Sequence, residues 1–163
     1  MAPASAKYKI NDEASFFCHK IKFILTHQLR KRLMEDKVKF EIEFPIQASP
    51  SLLYQYMSSP SGMSEWFADN VNSRGEYYTF IWNGSEEKAK LLGKKNGERI
   101  KFRWMEDVDS DELFYFELRI VVDEITKDVS LIVTDFAEED EVDEGKMFWE
   151  NQISELKHVI GST

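Results

Sequence analysis

The chain has 163 residues, enough for one domain that buries roughly 70% of the surface exposed by its unfolded chain. Its formal net charge of −9 argues against non-specific nucleic-acid binding, because the phosphate backbone is bound mainly by Lys and Arg. A single cysteine, Cys18, excludes an internal disulfide framework and favours a reducing compartment, so we predict a cytoplasmic protein. No apolar run approaches the ~18 residues of a membrane span.

Residues 1–33 differ in charge from the rest of the chain. They carry a net charge of +5, whereas the remaining 130 residues carry −14. Their apolar side chains recur at helical spacing, with basic residues on the other faces. One interpretation is an amphipathic segment for an anionic membrane surface or for organelle import. Because Asp12 and Glu13 are unfavourable in a transit peptide, we favour an extra helix, a tail or a misassigned start upstream of Met34. We therefore predict a basic extension at residues 1–33 and a domain at residues 34–163.

The first predicted strand covers residues 38–46. Apolar and polar side chains alternate along it, which indicates one buried and one solvated face. Two short helices are predicted after it, because Ser49-Pro50 and Ser59-Pro60 each place a capping serine before a proline. Met63, Trp66 and Phe67 are the apolar anchors of the second helix. Both helices are too short to be stable alone, so each must pack on another element.

Beyond residue 69 the apolar side chains recur with a period of two. We predict strands at residues 70–72, 77–82, 87–92, 99–104, 113–124 and 129–136. Asn83-Gly84 and Asn96-Gly97 indicate hairpin turns, because Asn and Gly tolerate positive φ. The connections are too short for crossover helices, so the sheet must be an antiparallel meander.

Residues 140–160 are predicted to form one long closing helix. Asp140 is the expected N-cap, acidic residues follow at the positive end of the helix dipole, and Gly161 is a natural stop. Trp149, Ile153, Leu156 and Ile160 form an apolar stripe. We expect Trp149 and Ile153 to face the sheet.

This order of elements resembles the START-like, or helix-grip (SRPBCC), superfamily. The chain is most similar to small bacterial-type START-like proteins related to activators of a heat-shock chaperone's ATPase. The resemblance covers about residues 38–160 and is carried by the strands at 38–46, 99–104 and 129–136, by Pro60…Trp66-Phe67, and by Trp149…Ile153…Leu156. It implies an α+β fold: a curved seven-stranded antiparallel sheet wrapped on the long C-terminal helix, with two short helices after the first strand.

The resemblance also implies an apolar cavity or groove between the sheet and the closing helix. Six side chains are the candidates for lining it: Trp66, Trp82, Trp104, Phe116, Trp149 and Ile153. Asp69, Asp135 and Arg103 are candidate polar groups of the same space. The sequence leaves a second arrangement open, in which the rings fill a solid core.

The sequence gives little support for metal binding or for catalysis. Asp107, Asp109 and Asp111 resemble the start of a calcium loop, but Glu112 stands where the turn needs Gly and Leu118 where the bidentate Glu belongs. Cys18 and His19, as adjacent residues on a helix, point in different directions. Motifs for serine hydrolases, zinc sites and phosphate loops are missing from the sequence. We predict no metal, no cofactor, no catalytic residue and no enzyme activity.

The predicted function is a non-catalytic START-like binding module that holds a hydrophobic small molecule or lipid between the sheet and the C-terminal helix. An alternative is a protein-interaction module, associated with a chaperone, which the family resemblance and the charge of −14 on residues 34–163 motivate. A cyclase-type enzyme is a third hypothesis and requires ionisable groups that converge in the cavity. No nucleic-acid partner and no transmembrane segment are expected.

Overall fold

The computed structural model describes residues 37–107 and 114–162. The predicted extension at residues 1–33, with Cys18 and His19, lies outside the described residues. So does the middle of the calcium-like stretch, residues 108–113. The predictions made for these parts of the chain stay predictions.

Seven strands form one antiparallel sheet in the order β1-β7-β6-β5-β4-β3-β2. Its strands are β1 (Lys37–Ile46), β2 (Asn70–Arg74), β3 (Tyr77–Trp82), β4 (Ser85–Lys95), β5 (Arg99–Trp104), β6 (Phe116–Val122) and β7 (Val129–Glu138). A short 3₁₀ turn, Met105–Asp107, follows β5. The sheet curves around the C-terminal helix, and the predicted α+β helix-grip architecture is confirmed.

β3 and β5 have the predicted bounds, β1, β2 and β7 are one or two residues longer than predicted, and β4 and β6 differ most. β4 is longer than residues 87–92, because a register shift between Leu91 and Gly93 lets it continue pairing with β5. β6 ends earlier than residue 124, because the Asp123 carboxylate accepts the backbone N–H groups of Ile125 (2.8 Å) and Thr126 (2.7 Å). These hydrogen bonds form a local turn that competes with strand pairing.

Helices α1 (Pro50–Ser58) and α2 (Pro60–Met63) begin as predicted. Ser49 Oγ accepts a hydrogen bond from Leu52 N, and Ser59 Oγ accepts one from Gly62 N. The two helices approach each other so closely at Gly62 that a Cβ there would lie 2.6 Å from the Gln55 carbonyl oxygen. Only glycine fits this junction without a backbone shift.

Helix α3 (Val142–Ile160) buries Trp149, Ile153 and Leu156, as the apolar stripe predicts. The prediction of Asp140 as N-cap is wrong, because Glu141 holds that position without a side-chain capping hydrogen bond. The chain leaves β7 through a turn in which Glu141 N donates to Glu138 O at 2.9 Å, which moves the helix start one residue on. Gly161 ends the helix in the left-handed conformation, with φ of 69°.

The sheet has two distinct faces. The inner face, covered by the three helices, carries the fully buried Ile100 and Phe102 of β5 and Leu131 and Val133 of β7. Because side chains alternate along a strand, the outer face carries Arg99, Lys101 and Arg103 of β5. The main core therefore lies on the inner side of the sheet. The outer face is largely charged, with a small aromatic group in which Phe136 packs against Tyr115 at 5.1 Å between ring centroids.

Candidate ligand-binding site

An aromatic cluster lies between the inner face of the sheet and α3. It contains five of the six predicted cavity residues together with Phe67, and we define it as Trp66, Phe67, Trp82, Trp104, Phe116 and Trp149. Phe116 at the start of β6 connects α3 to the sheet, with ring centroids 5.7 Å from Trp149 and 5.0 Å from Trp104. The sixth predicted residue, Ile153, is fully buried one helical turn after Trp149.

Phe67 is the centre of this cluster. Its ring stacks on Trp149 at 5.7 Å and meets Trp66 at 5.3 Å and Trp82 at 5.4 Å. Only 1% of Phe67 is exposed. The sequence identifies this residue as an anchor of the second helix, but the helix ends at Met63 and Phe67 lies in the turn that follows it. The sequence does not identify Phe67 as a site residue, because periodicity shows which face of an element is buried and not which residues that face contacts.

The indole N–H groups hold the tryptophans in place. Trp66 Nε1 donates to Tyr56 O at 3.0 Å, and Trp82 Nε1 donates to Phe67 O at 2.7 Å. Since these donors are already used by the protein, the two indoles offer a ligand mainly their apolar ring surfaces.

The candidate polar groups are separated by the fold. Asp135 lies on the inner face and accepts Trp149 Nε1 at 2.8 Å, so it connects β7 to α3. Asp69 accepts the backbone N–H of Asn83 at 2.7 Å. Arg103 lies on the outer face, opposite Lys90 in the β4–β5 register, and is therefore on the other side of the sheet from the aromatic cluster.

Burial divides the predicted cavity residues into two groups. Trp66, Phe116, Trp149 and Ile153 are at most 5% exposed, and the three aromatic members pack against other rings of the cluster. Trp82 and Trp104 are half-buried at the ends of β3 and β5. The described part of the cluster is thus a packed core with two tryptophans at its edge.

A cavity of about 550 Å³ opens beside Trp104. Its other lining residues are Lys37, Glu86, Glu87, Lys88, Met105 and Glu106. Trp104 and Met105 supply apolar surface, and the remaining side chains are charged, with both signs present. Its volume lies within the ~300–1,000 Å³ that small-molecule sites usually occupy.

A second cavity, of about 280 Å³, lies between α3 and the segment after α2. Trp66, Phe67 and Trp82 line it, together with Gln152 of α3 and a short run from Ser64 to Asp69. Phe148 of α3 lies 6.4 Å from Phe67 between ring centroids and is 41% exposed. The aromatic cluster therefore reaches the surface on two sides.

Across residues 37–107 and 114–162, no group of three His, Cys, Asp or Glu side chains is arranged to hold a metal ion. Burial, with a smaller contribution from the nearby Tyr54, raises the pKa of the Tyr78 hydroxyl. None of the described helices is long and apolar enough to cross a membrane.

The comparison with known families now gives the class of the protein. The START-like superfamily domain matches residues 34–162, so the chain belongs to the START-like superfamily. Domains of this superfamily commonly bind hydrophobic ligands or mediate protein interactions. No curated protein matches the chain.

Several solved structures are similar to the chain. A protein from Bacteroides fragilis, solved in solution by NMR, has 31% identity, covers 76% of this chain and 90% of its own, and gives a TM-score of 0.55. The Aha1 dimer from Colwellia psychrerythraea has 16% identity, coverage of 76% and 96%, and a TM-score of 0.62. A Bacillus thuringiensis protein has 9% identity, coverage of 76% and 98%, and a TM-score of 0.63. The last two likenesses show the fold alone.

Proposed function

We propose that the protein is a non-catalytic binding module for a hydrophobic or amphiphilic small molecule, including a lipid. The cavity beside Trp104 is lined by β1, β4, β5 and the turn after β5, so we place the ligand at this edge of the aromatic cluster and not between the sheet and α3. The observation that carries this proposal is the half-buried Trp104, which lines the 550 Å³ cavity and is stacked on the buried Phe116. An apolar ligand placed against Trp104 would extend the aromatic cluster and remove more apolar surface from water.

The charges around this cavity favour an amphiphile over a purely apolar ligand. Glu86, Glu87 and Glu106 line it together with Lys37 and Lys88. A polar end could stay hydrated beside these side chains while the apolar body contacts Trp104 and Met105. The low cysteine content supports a cytoplasmic location for such a protein.

The alternative of a protein-interaction module also remains a proposal. Its chaperone association is supported by the resemblance of the sequence to the activator branch of the family. The likeness to the Aha1 structure, at 16% identity, adds support for the fold only.

The proposal is tested with the neutral dye N-phenyl-1-naphthylamine, whose fluorescence rises in apolar sites. We expect saturable binding that Trp104→Ala weakens by about tenfold, since most contact area with the ring is lost, and that Trp104→Phe largely restores. Tyr77→Ala is the matched control, because Tyr77 is an exposed ring on the opposite face of the sheet. Equal dye binding by Trp104→Ala and the wild type would exclude this site, and native mass spectrometry of the purified protein identifies any co-purified ligand.

A further inference from the structure

The outer face of β4, β5 and β6 is rich in cationic side chains, although residues 34–163 as a whole carry a net charge of −14. Seven cationic residues of these strands share this face: Lys88, Lys90, Lys95, Arg99, Lys101, Arg103 and Arg119. The carboxylates of Glu76, Glu98 and Glu117 lie within ion-pair distance of members of this set. We call these seven side chains the basic face.

The register of the sheet places like charges directly opposite each other within the basic face. Arg99 of β5 is paired with Arg119 of β6 and, on its other side, with Lys95 of β4. Like charges directly opposite on neighbouring strands destabilise a sheet. The chain has 30 acidic and 21 basic residues, so acidic side chains could have occupied some of these positions. Because the repulsion between Arg99, Arg119 and Lys95 reduces stability, their presence on one face points to a role in binding.

One carboxylate serves three of these cations. The Glu117 side chain, 10% exposed, lies 3.3 Å from Lys101 Nζ, 3.7 Å from Arg119 Nε and 3.9 Å from Arg99 Nη1. The three cationic side chains are 30–48% exposed, so they can reach a partner. Glu117 holds them close together but balances only part of their charge.

We propose that the basic face is a docking surface for an acidic segment of a protein partner. In the free protein, Arg99, Lys101 and Arg119 share the carboxylate of Glu117. Carboxylates of such a segment would supply additional counter-charges to these three side chains. Arg can bind a carboxylate through two parallel hydrogen bonds, which adds orientation to the attraction. Complementary charge of this kind increases the association rate and selects the partner.

The dimensions of the basic face favour an acidic protein segment over a nucleic acid. The six residues of β5 extend over about 20 Å, and three strands are about 10 Å wide. On the β1 side of the sheet, Glu41 and Glu43 alternate with buried residues and so share the outer face. A nucleic acid carries about one charge per 1.7 Å of duplex, and its phosphates would continue past the basic face towards these carboxylates. A short acidic segment can end before them.

The test uses the full chain and a fluorescein-labelled oligo-glutamate peptide. We expect fluorescence anisotropy to show binding that weakens with added salt, and the double variant Arg99→Gln/Arg119→Gln to weaken it by about tenfold. Lys127→Gln/Lys146→Gln is the matched control, because it removes two cations from a hairpin turn and from α3 and should leave the affinity unchanged. The net charge of +5 on residues 1–33 is the same in every variant, so any peptide binding by that segment contributes equally to all of them.

Amide chemical shifts locate the bound peptide independently of its affinity. The proposal requires perturbations concentrated on β4–β6 that disappear in the Arg99→Gln/Arg119→Gln protein. Circular dichroism and thermal unfolding verify that this variant is folded. Equal affinity of the two double variants, or shifts confined to other parts of the chain, would overturn the proposal. Tighter binding of an oligonucleotide of equal charge, or of phosphatidylserine vesicles, would overturn the assignment of an acidic protein segment as the partner.

Discussion

Trp149 Nε1 donates a 2.8 Å hydrogen bond to Asp135 Oδ2, and this bond joins the closing helix to the inner face of the sheet. The same Asp135 accepts the backbone N–H of Phe136 through its other oxygen at 2.8 Å. A charged acceptor in a partly buried position makes a stronger hydrogen bond than a neutral one. The position of α3 is therefore fixed by a directional contact as well as by apolar packing.

The first prediction is energetic coupling between these two side chains. Trp149→Phe and Asp135→Ala should each destabilise the protein, and a double-mutant cycle in urea should give a coupling free energy of about 1–3 kcal/mol. Trp66→Phe is the control partner, because its indole donates to Tyr56 O instead. A coupling of Asp135 with Trp149 no larger than that with Trp66 would contradict the role assigned to the bond.

The second prediction separates the packed part of the aromatic cluster from its edge. Trp149 is 1% exposed and stacks on Phe67, so Trp149→Ala should cost about 3–5 kcal/mol in the free energy of unfolding. Trp104 is half-buried and lines an open cavity, so Trp104→Ala should cost clearly less. Urea unfolding monitored by circular dichroism compares the two variants. If both cost the same, Trp104 belongs to the rigid core and is a poor candidate for ligand contact.

The third prediction concerns the junction of α1 and α2. A Cβ at Gly62 would lie 2.6 Å from Gln55 O and 2.7 Å from Tyr56 Cα, and both are backbone atoms that cannot easily move. Gly62→Ala should therefore destabilise the protein by about 1–3 kcal/mol. Gly93→Ala is the control, since a Cβ there meets nothing within 4 Å. A thermal-unfolding midpoint that is the same in both variants would show that the junction can relax.

The sequence predicted the elements of the fold better than their contacts. The alternation in β1, the capping serines of α1 and α2 and the apolar stripe of α3 depend on neighbours in the chain, and all were recognised correctly. The central position of Phe67 depends on rings that come from β3, β6 and α3. No local pattern contains that information, and the cavity beside Trp104 is equally a product of long-range packing.

The start of α3 and the start of β6 also show the difference between what local sequence patterns predict and what they do not. Asp140 satisfies the residue preference for an N-cap, but the turn from Glu138 to Glu141 places the helix one residue further on. Phe114 and Tyr115 continue the alternating pattern of β6, whereas the strand starts at Phe116. Residue preferences define which elements form, and the geometry of the connections decides where each one begins.

The fourth prediction is a pH effect at the β6–β7 turn. Backbone N–H groups of Thr126 and Ile125 donate to the Asp123 carboxylate and lower its pKa below the ordinary value of 3.8. A carboxyl with a lowered pKa in the folded state contributes stability above its unfolded pKa and loses it as the pH falls through the folded pKa. Asp123→Asn keeps the acceptor oxygen but removes this charge. Its free energy of unfolding should therefore fall less steeply than that of the wild type below pH 3.8.

Urea unfolding at a series of acidic pH values measures that difference. Glu124→Gln, which neutralises the adjacent exposed carboxylate, is the matched control. Identical pH profiles for Asp123→Asn and the wild type would mean that the turn does not favour the ionised form. The effect should be small, since Asp123 is exposed and the hydrogen bonds compete with water.

The fifth prediction combines stability with binding at Glu117. Glu117→Gln keeps the shape of the side chain but removes the only carboxylate within 4 Å of Lys101, Arg119 and Arg99 among the described ion pairs. The repulsion between Arg99 and Arg119 is then less compensated, and the variant should lose about 1–3 kcal/mol of stability. Because the same change makes the basic face more positive, its affinity for the oligo-glutamate peptide should rise.

A decrease in stability together with an increase in peptide affinity in Glu117→Gln would distinguish a binding surface from a purely structural ion-pair network. Glu43→Gln, which removes an exposed carboxylate from the outer face of β1, should change neither quantity strongly. Both effects of Glu117→Gln should shrink in high salt, because the charges involved are partly exposed and screened. A Glu117→Gln protein that is less stable but binds the peptide no more tightly than the wild type would show that Glu117 only holds the sheet together.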